Sequence, residues 1–171
     1  MGGLLYLTYH IIFYFKTRVP IIITPHTLIK RIVAYLDNNH FIDSKSTVYE
    51  LGSGWGDFSF EIEKLKPKKI LAYELSPIHI YRSRLKAKII KSNVQFKMED
   101  FFRTDISDAD IVYVYLMPKI VNKLWKKMIR ECKKGTIMIL LGHDIKGVKP
   151  LKKIKTKPNN LNSTFYYLYK V

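Results

Sequence analysis

Apolar positions along the chain switch between two spacings. From Ser46 onward, short and nearly continuous apolar runs alternate with longer stretches in which apolar residues recur every three or four positions. The runs at 46–51 (STVYEL), 69–74 (KILAYE), 93–98 (NVQFKM), 110–116 (DIVYVYL) and 136–141 (TIMILL) predict strands, and the stretches 56–66, 77–91 and 118–132 predict helices. Pro77 and Pro118 each stand where a first helical turn begins, a position at which the missing N–H has no intrahelical partner to lose. Gly135 predicts the stop of the last of these helices. Buried strands separated by helices imply a parallel sheet covered on both faces. Two further runs, 149–157 and 163–171, flank Pro158-Asn159-Asn160-Leu161-Asn162 and predict a closing β-hairpin. The pattern is that of one doubly wound α/β domain over residues 46–171 with an N-terminal appendage.

In that appendage, Leu28, Ile29, Ile32, Val33 and Leu36 form an apolar helical stripe. Thr24 suits its N-cap and Pro25 its first turn, and Asn38 and Asn39 close it. Residues 1–15 contain no Asp, Glu, Lys or Arg, and Lys16 and Arg18 follow. The stretch is shorter than the roughly 20 apolar residues of a full span. It also lacks the basic start and small-residue cleavage site of a signal peptide. A short membrane-inserted anchor, an interfacial helix and a helix packed on the domain all remain open. Tyr6, Tyr9, Phe13, Tyr14, Phe15 and the basic edge suit a membrane interface, with the rest of the chain on the cytoplasmic side. The chain thus divides into an apolar segment (1–18), a helical element beginning at Val19 (19–45) and the α/β domain (46–171).

Composition narrows the function classes. With 171 residues, 47% apolar and 26% charged, a disordered or coiled-coil chain is excluded. Cys132 is the lone cysteine, so neither an internal disulfide nor a Cys-based zinc site can form. His10, His26, His40 and His79 are too scattered for metal-ligand spacing, and no metal is expected. The net charge is +16, yet only six of the 30 basic residues are arginine, the residue that reads bases bidentately. The excess lysine has two explanations, a biased coding background or an anionic partner such as RNA or a lipid surface.

The most informative stretch is Val48-Tyr49-Glu50-Leu51-Gly52-Ser53-Gly54-Trp55-Gly56-Asp57, between the first strand and the first helix of the sheet. Ligands of open α/β sheets bind at that edge. Asp57 stands where a dinucleotide fingerprint needs its third glycine, and no Gly-Lys-Ser/Thr of a phosphate-binding loop follows. An acid ahead of the loop discourages a pyrophosphate and suits a cationic ligand. The E-x-G-x-G-x-G pattern resembles motif I of the class I S-adenosylmethionine-dependent methyltransferases. That resemblance implies a Rossmann-like seven-stranded sheet and S-adenosyl-L-methionine as cofactor. It implies that Glu50, Gly52, Ser53, Gly54 and Gly56 hold the amino-acid part. Glu74, with Leu75 beside it, would hold the ribose hydroxyls. Glu99, Asp100 and Phe101 would hold the adenine, an acid accepting from its amino group and the ring packing on it.

The fourth strand narrows the resemblance. Enzymes that methylate exocyclic base amines carry N/D-P-P-Y/F there, whereas this chain has Tyr115-Leu116-Met117-Pro118. With Val19-Pro20-Ile21-Ile22-Ile23-Thr24-Pro25 ahead of the first helix, it is similar to the lysine methyltransferases of the ATP synthase c subunit and the adenine nucleotide translocase, and to their small prokaryotic relatives. The departures are Glu50 for the commoner Asp, the bulky Trp55-Gly56-Asp57 and a short N-terminal apolar segment. The resemblance implies a protein-lysine N-methyltransferase; the chain is expected to be a monomer, cytoplasmic or on the cytoplasmic face of a membrane. It also implies an acceptor site around Tyr115, Thr24 and Pro118. Thr24 has a second role open to it as a helix cap. His143-Asp144 after the fifth strand reads equally as a substrate contact or a surface turn, and Lys119, Lys123, Lys126 and Lys127 as a solvated helix face. An RNA or small-molecule methyltransferase and a non-catalytic cofactor-binding scaffold are the competing readings.

Overall fold

The computed structural model describes residues 24–161 and 163–171. The apolar segment 1–15, Lys16, Arg18 and residues 19–23 lie outside the described residues, as does Asn162. The described elements are α1 (His26–Asn38), β1 (Thr47–Leu51), α2 (Asp57–Ile62), β2 (Lys69–Tyr73), α3 (Pro77–Ile90), β3 (Gln95–Lys97), β4 (Ile111–Val114), α4 (Pro118–Glu131), β5 (Ile137–Leu141), β6 (Lys152–Lys155) and β7 (Phe165–Lys170). The seven strands form one sheet in the order β3-β2-β1-β4-β5-β7-β6. Strands β1 to β5 pair in parallel, and β7 joins β5 and β6 antiparallel, so the C-terminal hairpin is present as expected.

Alternation along the buried strands sorts side chains into two cores. Val48, Ile70, Ala72, Ile111, Tyr113, Ile139 and Leu168 pack under α1, α2 and α3. Tyr49, Leu51, Leu71, Tyr73, Val112, Val114 and Leu140 pack under α4 and the turn at Phe101. The chain order reverses between β1 and β4, where open sheets form their ligand crevice.

Several expected boundaries move, each for a local reason. Edge strand β3 keeps only residues 95–97, because Asp100 takes the chain into a short turn by accepting the Phe102 N–H. Strand β4 ends at Val114, since Tyr115, Leu116 and Met117 peel away before Pro118 opens α4. Edge strand β6 narrows to 152–155, which is all that pairs with β7. Helix α4 ends at Cys132, whose extended backbone breaks it, and Gly135 instead makes the turn into β5. Lys127 is not on a solvated face: it is 6% exposed and ion-paired with Glu131.

The expected cap of α1 is also corrected. Pro25 occupies the N-cap, its carbonyl accepting from Leu28 and Ile29, and no side chain caps the helix. A residue before proline is driven extended. Thr24 therefore stands outside the first turn. Leu36, fully buried, anchors the helix that carries Thr24 to the sheet. Leu36→Ala should lower unfolding free energy by about 2–5 kcal/mol in denaturant titrations; a loss under about 1 kcal/mol would mean that α1 is not part of the core.

Candidate active site

Strand β1 is buried along its whole length, which carries Glu50 into the interior at 5% exposure. Its Oε2 accepts from the Ser59 N–H at 3.0 Å and from the Ser59 hydroxyl at 2.5 Å. Desolvation pushes the carboxyl up to about 8, against the lowering effect of the two Ser59 bonds. A cation beside it would restore its charge.

The loop after β1 is fixed by the end of β2. The N–H groups of Gly52 and Ser53 both donate to the Tyr73 carbonyl at 2.9 Å. Gly54 N–H donates to Glu74 Oε2 at 2.9 Å and Ser76 N–H to Glu74 Oε1 at 2.8 Å. Each carboxylate oxygen of Glu74 thus keeps acceptor capacity for a ligand. Gly54 is held at φ +52°, which favours glycine, and a Cβ there would meet nothing within 4 Å, so the loop leaves open space.

Two cavities meet at Gly52. One, of about 220 Å³, is an acidic groove lined by Tyr73, Glu74, Leu75, Glu99, Asp100, Phe101, Phe102, Leu116 and Ile120. Asp100 spends Oδ1 on the Phe102 N–H at 2.9 Å. The rings of Phe101 and Phe102 stand 4.7 Å apart beside it. The other cavity, of about 60 Å³, is lined by Thr24, Ile29, Glu50, Ser53, Trp55, Phe58, His79, Tyr113 and Tyr115.

In this second cavity Tyr113 stacks on Phe58 at 3.9 Å, nearly parallel. The hydroxyls of Tyr113 and Tyr166 are enclosed near Thr24, and neither makes a hydrogen bond of good geometry among the described residues. Burial pushes both phenols well above their ordinary range, so both stay protonated. The Ser53 hydroxyl is likewise enclosed without a partner. Trp55 forms an outer wall, edge-on to His79 and covered by the Arg82 guanidinium at 3.9 Å.

Tyr115 emerges from β4 over the same cavity. Its ring lies against Gly142, where a Cβ would come within 3.2 Å of it and where φ is +103°. His143 Nε2–H donates to the Leu116 carbonyl at 2.8 Å, tying the loop after β5 to the one after β4. His143 is thus a clamp on the Tyr115–Pro118 stretch. Pro118 itself opens α4 on the surface and lines neither cavity, and Gly56 caps α2 and lines neither. Gly142 and Tyr166 are additions that sequence reasoning missed. The signals were a glycine directly after a buried strand and a tyrosine on the inward register of β7. No cluster of His, Cys, Asp or Glu able to hold a metal occurs among the described residues. Burial pushes the Cys132 thiol up to about 11, and it donates to the Ile106 carbonyl, so it is unreactive.

Comparison with known proteins gives the following. The family model of the ANTKMT methyltransferase domain matches residues 50–152. A protein-lysine N-methyltransferase of Saccharolobus islandicus is 29% identical over 153 residues, covering 86% of this chain and 91% of the relative. An RNA methyltransferase from Salinibacter ruber, solved with S-adenosyl-L-homocysteine, superposes with a TM-score of 0.76 at 24% identity, over 88% of this chain and 94% of that one. Magnesium protoporphyrin IX methyltransferase from Synechocystis, solved with its methyl donor bound, superposes at 0.66 and 12% identity, over 85% and 78%. At these identities the two structures show a shared fold.

The Glu50 environment has a measurable pH signature. Folded Glu50 holds its proton up to about pH 8, whereas the unfolded chain releases it near 4.5. Between those values the native state binds more protons, so this group makes stability fall as pH rises. In denaturant titrations Glu50→Gln should lose less stability than wild type between about pH 5 and pH 8. Parallel pH curves for the two proteins would contradict a raised Glu50.

Proposed function

The chain belongs to the ANTKMT methyltransferase domain family, and on that footing we propose that it transfers a methyl group from S-adenosylmethionine to the side-chain amine of a lysine in a protein substrate. The observation that carries this reading is the junction at Gly52 of an acidic groove of about 220 Å³ with a smaller cavity, of about 60 Å³, walled by aromatic rings. A lysine reaches such a cavity as a thin apolar stem with one nitrogen at its tip. The likeness to the Saccharolobus islandicus protein-lysine N-methyltransferase supports the same acceptor.

The residues present fit the donor. S-adenosylmethionine supplies an activated methyl on a positively charged sulfur. Glu74, pinned by Gly54 and Ser76, keeps two acceptor sites for the ribose hydroxyls. Asp100 keeps Oδ2 for the adenine amino group, and Phe101, with Leu75 and Glu99 along the groove, bounds the ring. The enclosed Ser53 hydroxyl and the Gly52–Gly54 backbone receive the carboxylate end, and Glu50 faces the ammonium that returns it to its charged form.

On the acceptor side, an ordinary lysine has a pKa of about 10.4 and must arrive neutral to attack. Ile29, Phe58, Tyr113 and Tyr115 strip water from the ammonium and favour loss of its proton. Tyr113 remains a protonated phenol, so it orients the amine and does not remove its proton. Thr24 and Tyr115 offer hydroxyl oxygens to the amine N–H groups, aiming the lone pair at the methyl carbon. Pro118 acts by fixing where the Tyr115–Met117 loop ends. The apolar segment 1–18, with its basic edge at Lys16 and Arg18, supports an enzyme that works at the cytoplasmic face of a membrane, on a membrane-associated protein. No helix among the described residues is long and apolar enough to cross a membrane.

The net charge of +16 favours RNA as the second reading. Incubation with labelled donor and host lysate, followed by protease or RNase, separates the two. Label released by protease and recovered on lysine supports the proposal; label released by RNase overturns it.

Two binding variants test the donor groove. Glu74→Ala should weaken donor binding on the order of a hundredfold or more, since two hydrogen bonds to a carboxylate are lost. Asp100→Ala should cost about tenfold or less, as one bond is lost. Calorimetry in which Asp100 matters more than Glu74 would reverse the two assignments. Gly142→Ala, which pushes on the Tyr115 ring, should lower kcat about tenfold or more while leaving donor Kd within about twofold. An equal loss in both would place Tyr115 on the donor side.

A further inference from the structure

Helix α3 carries large apolar residues on its outer side as well as on its buried one. Its buried side carries His79, Ile80, Ser83 and Ala87, and the Ser83 hydroxyl donates to the Gly54 carbonyl at 3.4 Å. Its outer side carries Ile78, Tyr81, Leu85 and Ile89, at 39%, 62%, 60% and 71% exposure. These four recur at intervals of three and four residues, so they form one straight stripe along a helix about 20 Å long. Such a stripe costs solubility unless something covers it.

The flanks of the stripe name the cover. Arg82 and Lys86 run along one side, Arg84 and Lys88 along the other, and Lys91 closes the end, while residues 77–91 contain no carboxylate. Arg82 lies over Trp55, Lys86 lies 4.2 Å over Phe60 and 3.6 Å from Asp57, and Arg84 donates to the Phe96 carbonyl. The flanking charges are thus held along both rims, with Asp57 the one carboxylate ion-paired to them among the described residues. A second copy of the chain would set two cationic rows against each other. An anionic lipid surface instead offers acyl chains to the stripe and headgroup phosphates to both rims.

We propose that the outer face of α3 lies in the plane of an anionic membrane surface, with Ile78, Tyr81, Leu85 and Ile89 in the acyl boundary and the flanking cations on headgroup phosphates. The proposal does not depend on lysine being the acceptor. The opposite side of the same helix holds the Gly54 loop through Ser83, so docking places that loop about one helix diameter, roughly 10 Å, from the surface.

Flotation of the full chain with vesicles of phosphatidylcholine, with and without one third phosphatidylserine, tests it. Leu85→Ser/Ile89→Ser should lower partitioning about tenfold or more on the mixed vesicles. Lys88→Glu/Lys91→Glu should lower it about as much on the mixed vesicles and little on neutral ones. Neither pair touches the Gly52 site, so transfer to a soluble acceptor should persist and report correct folding. A nitroxide on Leu85→Cys, in a Cys132→Ser background, should gain oxygen accessibility and lose accessibility to a water-soluble relaxant on the mixed vesicles. Binding unchanged in both pairs, a nitroxide still in water on vesicle-bound protein, or no vesicle binding overturns the proposal. So does loss of self-association in Leu85→Ser/Ile89→Ser, which would make the face an interface between copies.

Discussion

One carboxylate and the carbonyl beside it fix the geometry of the site. Glu74 holds Gly54 and Ser76 by their N–H groups, and the Tyr73 carbonyl holds Gly52 and Ser53. Four backbone donors of two neighbouring strand ends therefore converge on two adjacent residues, the last of β2 and the one after it. With the loop held there, Gly52 stands between the acidic groove and the aromatic cavity. Any loosening of Glu74 disturbs both, because the same side chain binds ligand and positions the wall. That double use is why a carboxylate at the end of β2 serves better than a neutral amide, which accepts through only one oxygen.

The order of elements was largely legible because it rests on local physics. Short, near-continuous apolar runs between turn signals favour strands buried on both faces, and prolines at 77 and 118 suit the first turns of helices. Strand ends were less legible. Nothing in Tyr115-Leu116 by itself says that β4 stops at Val114, because that break depends on Gly142 and His143, more than 25 residues later. The cap of α1 failed for a related reason: Thr24 and Pro25 compete for one position, and the cap role went to proline. Thr24 was thereby released to the cavity, which the alternative reading of that residue had allowed.

The donor side was more readable than the acceptor side. Glu50, Glu74 and Asp100 sit at successive strand ends, so spacing along the chain maps onto spacing along the sheet edge. The acceptor side gathers Thr24, Phe58, Tyr113, Tyr115 and Gly142 from before α1, from α2, from β4 and from beyond β5, with Tyr166 of β7 behind them. No linear motif spans them, and tyrosine is in any case common in strands. What marks the place is the burial of the Tyr113 and Tyr166 hydroxyls without good partners among the described residues, a property of the packed interior alone. Buried hydroxyls of this kind carry a desolvation cost that a ligand amine can relieve.

The central claim is that the donor's nucleoside lies in the acidic groove and its amino-acid end passes Gly52 into the cavity where the lysine arrives. A crystal structure of the chain with S-adenosyl-L-homocysteine tests it most directly. The account predicts the adenine beside Phe101 and Asp100, the ribose hydroxyls on Glu74, and the sulfur at Gly52 facing the cavity of Thr24, Tyr113 and Tyr115. A sulfur turned away from that cavity, or an adenosine lodged within it, would contradict the account.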